Sequence, residues 1–359
     1  MLDGFRDRIL ERKPLRIRGG GTKDFYGQTL QGDVLDTRGH AGIVDYEPTE
    51  LVITAKCGTP LAEIKSALAA RRQMLAFEPP GFGGGEGGSI ATLGGVVAAG
   101  LSGPRRATAG ALRDFVLGVK IIDGEGRLLT FGGQVMKNVA GYDVSRLMAG
   151  SLGTLGLIVE ASLKVLPVPA AEATLRFDLP QGRALELMNR WAGQPLPVSA
   201  TCWHADALSV RLSGATAAAA AAVVSLGGEK VGDGEAAAFW EEVREQRHAF
   251  FAGQDAPAAL WRLSLPSVAG VIDAPGPTLI EWGGAQRWVR GDGATTRVRA
   301  AAAKAGGHAT LFRGDQGEDT AAVGVFQPLD AVQARIHRDI KHAFDPHGIF
   351  NPGRMYPDI

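Results

Sequence analysis

The chain has 359 residues, and its 38 Lys and Arg balance its 38 Asp and Glu. A formal charge of zero argues against a protein built mainly to grip a nucleic-acid backbone, and 45% apolar with 21% charged residues excludes a disordered or collagen-like chain. The length accommodates about two domains with cores of their own.

The N-terminal stretch MLDGFRDRILERK spaces Leu2, Phe5, Ile9 and Leu10 as on a short helix, and it lacks the continuous apolar core of a signal peptide. Leu15 to Arg18 alternates like a strand and runs straight into Gly19-Gly20-Gly21-Thr22-Lys23. Short strands are expected at Val34–Leu35 and Gly42–Tyr46, and a half-buried strand at 51–57, closed by Gly58. Thr59-Pro60 reads as N-cap and first residue of a helix whose stripe is Leu61, Ile64, Leu68 and Leu75. Residues 81–113 are rich in glycine and alanine and almost free of large apolar side chains. Strands follow at Phe115–Ile122, Leu128–Phe131 and Leu155–Val165, the first two joined by an Asp123-Gly124-Glu125-Gly126 turn. Asp143 to Met148 reads as one or two helical turns. Pro167-Val168-Pro169 is the best linker candidate. Beyond it, strands at 174–179, 207–212, 261–265 and 278–282 alternate with helices at 183–192, 215–225, 235–250 and 294–305, which predicts one sheet covered by helices. A last helix spans Leu329–Phe344, with Val332, Ile336, Ile340 and Phe344 four residues apart. No run of ~18 apolar residues crosses a membrane.

Glycine is the compositional outlier. There are 50, with 29 in residues 1–169 and 10 between Gly81 and Gly103. Three glycines after a strand let backbone N–H groups turn around an anion, with Thr22 and Lys23 adding a hydroxyl and a cation. RGGGTK is not a Walker A loop, which needs GxxxxGK[ST] opening a helix. Gly83, Gly85 and Gly88 match GxGxxG, but Pro79-Pro80 stands where a buried strand should lead in, so a Rossmann domain is rejected. Small residues from Thr92 to Gly103 bury little area and suit a planar ligand lying on bare backbone.

RGGGTK, TLGG, GALRDFVLG, KNVAGYDVSRLMAGSLGTLGLI and FDPHGIFNPGRM, in this order, resemble the vanillyl-alcohol oxidase / p-cresol methylhydroxylase FAD superfamily and, within it, the FAD-binding E subunits of bacterial glycolate oxidases. The resemblance implies an α+β protein: a two-subdomain FAD-binding domain over 1–169, a cap over 170–344, and a segment over 345–359 that returns to the flavin domain. It implies FAD held by Gly19, Gly20, Gly21, Thr22, Lys23, Pro80, Gly88, Ser89, Thr92, Gly94, Gly95, Gly103, Gly110, Asp114, Gly153, Ile158 and Asn351. Covalently flavinylated relatives carry a histidine after the glycine run; Thr22 stands there in this chain, so the FAD should be non-covalent.

The resemblance also implies a homologous catalytic flavoprotein and an iron–sulfur subunit as partners, a small 2-hydroxy acid as substrate, and a cytoplasmic seat touching the inner membrane only through the complex. Cys57 and Cys202 fit a reducing cytosol and cannot supply the four thiolates of a cluster. The histidine-rich HxGDGNxH-type site of hydroxyacid-oxidising relatives is missing, and no metal site is expected. Oxidising a hydroxy acid needs a cation for the carboxylate and a base for the hydroxyl proton. The cap offers Arg244 and Arg262 as carboxylate clamps, His204 and His308 as bases, and Trp282, Gln286 and Trp288 as lining, each with salt-bridging or packing as the plainer alternative.

Overall fold

The computed structural model describes residues 1–83, 90–133, 143–252, 259–291, 295–314 and 324–359. The chain divides into two compact units: Met1–Ser102, Gly110–Pro167 and Pro328–Ile359 form the first, and Gly103–Ala109 with Val168–Gln327 the second. The expected linker at 167–169 is where the chain leaves the first unit for the long part of the second. Two assignments change. The final helix, expected in the cap, belongs to the first unit, and the heptapeptide Gly103–Ala109, expected in the flavin domain with Gly103 on the FAD path, belongs to the second.

In the first unit, β1 (Leu15–Arg18) pairs in parallel with β2 (Asp33–Asp36). A five-stranded antiparallel sheet follows, built from β3 (Ile43–Glu47), β4 (Val52–Lys56), β6 (Val116–Ile122), β7 (Leu128–Gly132) and β8 (Leu157–Lys164) in the order β3-β4-β8-β6-β7. Two-residue strands β5 (Gln73–Met74) and β9 (Leu166–Pro167) pair separately. Phe5 and Ile9, one turn apart on the helix Leu2–Leu10, meet Leu15, Leu35, Leu157, Val159 and Phe350 in one buried cluster. Each such side chain withdrawn from water contributes about 1.5–3 kcal/mol. The helix Leu61–Ala69 buries Leu61, Ile64 and Leu68, as their spacing predicts. Its start differs from expectation: Pro60 holds the cap position, and the Thr59 hydroxyl instead bonds Gly42 O at 3.1 Å while accepting from Gly42 N at 2.9 Å.

The second unit is a single eight-stranded antiparallel sheet among the described residues. Its strands are β10 (Ala171–Asp178), β11 (Val198–His204), β12 (Ala207–Gly214), β13 (Glu229–Val231), β14 (Leu260–Ser264), β15 (Thr278–Glu281), β16 (Gln286–Arg290) and β17 (His308–Arg313), ordered β13-β10-β12-β11-β15-β16-β14-β17. One face is apolar. The helix Gln181–Ala192 lays Ala184, Leu185, Met188 and Trp191 on Leu175, Leu208, Val210 and Ile280. Further along the same face, Val298 and Ala302 of the helix Thr295–Lys304 pack on Leu263, Val289 and Leu311.

Cys57 and Cys202 are buried thiols. Burial pushes Cys57 up to about 12 from 9.0. Its folded pKa lies above its unfolded one, so the unfolded chain gives up this proton first, and stability falls as pH rises through the window from about 9 to about 12. At pH 10 the loss is about 1.4 kcal/mol, because the unfolded thiol is then mostly ionised. Denaturant titrations of wild type and Cys57→Ala at pH 7 and pH 10 should differ in pH dependence by that amount; identical pH dependences would refute it.

Candidate functional site

The parallel strand β1 delivers Gly19-Gly20-Gly21 to the rim of an open cleft. Bare backbone is a steric requirement here. A Cβ on Gly20 would lie 1.6 Å from the carbonyl oxygen of Ile90, and one on Gly19 would lie 2.2 Å from Thr92 Oγ1. Gly21 adopts φ +75°, beside the Arg18 guanidinium. The opposite wall is clipped in place by the backbone: Leu61 N donates to Ala91 O at 2.8 Å and Leu93 N to Thr59 O at 2.9 Å. That clip presents Thr92 at the start of the helix Leu93–Ala99, buried, with a hydroxyl that has no hydrogen-bond partner among the described residues.

The cleft is cationic. Asp24 takes Arg16 at 2.5 Å and Arg18 at 3.0 Å, and Lys23 and Arg354 line the same space. Lys23 Nζ lies 3.3 Å from Thr22 Oγ1 and 5.4 Å from the centroid of the Phe82 ring. Among the described residues, Arg18, Lys23 and Arg354 line the cleft against the one carboxylate of Asp24, three cations to one anion, which favours an anionic ligand.

The third wall comes from the far end of the chain. Ile349–Asn351 runs beside β1, with Leu15 N donating to Ile349 O at 2.7 Å and Asn351 N to Leu15 O at 2.9 Å. Asn351 (φ +41°) accepts from Ile17 N at 2.8 Å through Oδ1 and donates to Leu152 O at 2.6 Å through Nδ2. Gly153, at φ +72°, is where a Cβ would come within 2.7 Å of that Nδ2.

The structure thus brings Gly19, Gly20, Gly21, Thr22, Lys23, Thr92, Gly95 and Asn351 to one cleft, with Gly153 behind Asn351. Other expected positions lie elsewhere. Gly94 packs the helix Leu93–Ala99 on Cys57, whose Cβ is 2.8 Å from where its own would stand. Pro80 is buried outside the cleft, and Ile158 is buried in β8 opposite Ile121. Asp114 accepts from Ala111 N at 2.9 Å, closing a turn over Gly110 at φ +107°. Gly103 lies in the second unit, where its carbonyl accepts from Trp282 Nε1 at 3.1 Å. Gly88 and Ser89 lie outside the described residues. Arg18, Asp24, Tyr26, Leu152 and Arg354 also line the cleft, beyond the positions that the resemblance implies. The one available signal for Arg354 was its place directly after Asn351-Pro352-Gly353.

In the second unit the face of the sheet opposite the apolar one is polar. Strand pairings Cys202↔Glu281, Glu281↔Gln286, Gln286↔Ser264 and Ser264↔His308 put these side chains on one side, together with Trp288, Arg262 and Thr310. Buried Glu281 accepts from Trp288 Nε1 at 2.7 Å and from Gln286 Nε2 at 3.0 Å. Arg262 and His308 are diagonal neighbours there; burial first, and the guanidinium second, lower the pKa of His308, leaving a neutral imidazole at pH 7. Arg244 is not part of this face, being paired with Glu245 at 2.8 Å on the helix Asp233–Glu245. His204 packs its ring on His248 and Phe250 at 5.6 and 5.2 Å, with Nδ1 3.3 Å from Thr278 O. Among the described residues no group of three His, Cys, Asp or Glu is placed to hold a metal ion.

FAD carries a diphosphate that needs donors, positive charge and close backbone approach. The glycine run, the partnerless Thr92 hydroxyl and the cationic rim supply all three. A family model described as an FAD binding domain matches residues 10–132. A solved alkyldihydroxyacetonephosphate synthase superposes over 97% of this chain and 74% of its own with a TM-score of 0.64 at 15% identity, a likeness of fold. Glycolate oxidase subunit GlcD of Bacillus subtilis is 31% identical over 166 residues, 46% of this chain and 34% of that protein. D-lactate dehydrogenase of Archaeoglobus fulgidus is 30% identical over 172 residues, 46% of this chain and 36% of that protein. Glycolate oxidase subunit GlcE of Escherichia coli is 47% identical over 359 residues, 100% of this chain and 97% of that protein. Identity sustained along both chains decides the matter: the protein is an FAD-binding flavoprotein belonging to the GlcE family of glycolate oxidase subunits.

Proposed function

We propose that this chain is the FAD-binding subunit of a complex that oxidises glycolate, or a closely related 2-hydroxy acid, to the 2-oxo acid. The observation that carries the reading is the cleft, in which bare glycine backbone, a buried Thr92 hydroxyl without a partner among the described residues, and three cations converge. Bound FAD supplies a two-electron acceptor for the hydride of the CH–OH carbon. The residues of this chain hold it: Gly19 to Gly21 and Thr92 face the diphosphate, Lys23 and the Asp24-braced Arg18 balance its charge, and Asn351 ties the walls together. Thr22 offers no nucleophilic nitrogen for a covalent link, which supports non-covalent binding.

Electrons leave through partner subunits, a homologous flavoprotein and an iron–sulfur protein, because two buried thiols cannot ligate a cluster. No helix among the described residues is long and apolar enough to cross a membrane; a cytoplasmic seat with membrane contact only through partners fits that reading. A second reading is favoured by one observation, the placement of Arg262 beside neutral His308. In it, this chain takes the substrate itself, with Arg262 on the carboxylate and His308 accepting the hydroxyl proton.

The purified chain is expected to be yellow and to release intact FAD on heating. Mixed anaerobically with glycolate but no partner, its flavin should stay oxidised under the first reading and bleach under the second. A colourless protein that takes up no FAD refutes both.

A further inference from the structure

Arg354 is a buried guanidinium wrapped by one loop. Its Nη1 donates to Gln28 O at 2.7 Å, and its Nη2 donates to Asp24 O at 2.8 Å, Lys23 O at 3.3 Å and Tyr26 O. The loop answers: Gln28 N donates to Arg354 O at 2.8 Å, and Gln28 Nε2 to Met355 O at 3.1 Å. Gly27, at φ +105°, lets the loop close so tightly that a Cβ there would stand 3.0 Å from Arg354 Nε. Only a guanidinium offers five donors in a fixed plane, so no other side chain can collect four carbonyls from six successive residues. Burial lowers its pKa to about 10, which still leaves it charged at pH 7.

Desolvating a cation with no carboxylate at hydrogen-bond distance among the described residues is costly, and a surface loop does not need such an anchor merely to turn. This loop, however, carries the charges of the cleft. Residue 23 is the lysine at its rim, and residue 24 is the aspartate that holds Arg16 and Arg18. Arg18 in turn packs against Gly21, the last of the three glycines.

We propose that Arg354 is a positioning residue for the anion cradle: by gathering the carbonyls of Lys23, Asp24, Tyr26 and Gln28 it fixes the cationic loop, and so makes diphosphate binding depend on docking of the segment Asp345–Arg354. The inference rests on the cleft being the FAD site. Coupling is reciprocal by linkage: if a docked segment raises nucleotide affinity, bound nucleotide holds the segment down by the same factor.

ADP, which presents the diphosphate without the flavin ring, tests the cradle alone. FAD and ADP titrations of wild type, Arg354→Lys and Arg354→Met, each checked by far-UV circular dichroism, should show at least a ten-fold affinity loss for both ligands in the methionine variant and an intermediate loss in the lysine variant. Unchanged affinity in a folded Arg354→Met protein overturns the assignment. Should that variant not fold, hydrogen exchange on the wild type decides: ADP is expected to slow exchange in 23–28 and also in 351–355, and protection confined to 19–23 overturns it. Wild-type protein that binds neither nucleotide overturns the FAD reading itself, an outcome distinct from either of these.

Discussion

Gly20→Ala is expected to leave the protein without FAD. The added methyl would lie 1.6 Å from Ile90 O, 2.5 Å from Ile90 C and 3.1 Å from Ile90 N, all backbone atoms. A rotamer change cannot relieve that clash, so the segment that carries Ile90 and Thr92 must retreat from β1, opening the cleft on the side where the Thr92 hydroxyl waits. At Gly19 the struck atom is a side-chain hydroxyl, which can rotate, and a milder effect is expected there. For Gly20→Ala the affinity for FAD should fall at least about 100-fold, about 2.7 kcal/mol. The measurement is the FAD-to-protein ratio after purification, followed by titration with added FAD. Gly4→Ala is the control: in the helix Leu2–Leu10 its methyl meets nothing within 4 Å, and alanine there should stabilise by about 0.5–1 kcal/mol. A Gly20→Ala protein purified with the wild-type complement of FAD would show that the cradle does not hold the diphosphate.

The cleft was legible because absence of a side chain is itself a sequence signal: Gly19, Gly20 and Gly21 each stand where a Cβ would collide or strain. Gly94 and Gly110 carry the same signal for other reasons, close packing on Cys57 and a positive-φ turn, and residue type alone does not separate a glycine that faces a ligand from one that faces its own chain. The central strand β11 carries no alternating signal, because Ser199 to Trp203 are all buried, and a strand buried on both faces loses the alternation that betrays one half-buried. β16 was hidden similarly by Gln286 and Arg287; the latter is fully buried with its guanidinium on the carbonyls of Ala269, Gly270 and Gly284.

The final helix, Ala331–Phe344, reversed its expected polarity. Val332 and Ile336 are exposed, at 59% and 47%, while Lys341 is buried. A lysine on a helix normally reads as solvated surface, and nothing in the local pattern marks this one as internal. The passage of Gly103–Ala109 into the second unit was equally invisible. It is held there by Arg105 to Glu172 at 2.9 Å and Thr108 Oγ1 to Ser199 O at 3.0 Å, partners that lie 67 and 91 residues away along the chain.

Lys341→Met is expected to be the most destabilising of the changes considered. Lys341 Nζ donates to Asp345 Oδ2 at 2.7 Å, Thr154 O at 2.8 Å and Phe350 O at 2.9 Å, so three elements meet on one ammonium. Asp345, with its side chain 0% exposed, also accepts from Ile349 N at 3.1 Å and Phe350 N at 2.8 Å. Burial lowers the pKa of Lys341 and the adjacent carboxylate opposes that shift, the signature of a charge kept in place by its partner. Methionine fills the volume but strands a buried carboxylate and two carbonyls, at a cost of about 3–5 kcal/mol, or a Tm lower by about 10 °C. Thr154 belongs to the loop that includes Leu152, and Phe350 precedes Asn351, so FAD affinity should fall along with Tm. Adding Asp345→Asn removes the stranded charge while keeping one acceptor for the 349–350 amides. The double variant should therefore recover part of the lost Tm, with a loss smaller than the sum of the two singles. Additive losses across that cycle would mean that the ammonium and the carboxylate act independently and that the pair is not what anchors Asn351 and Arg354 beside the cradle.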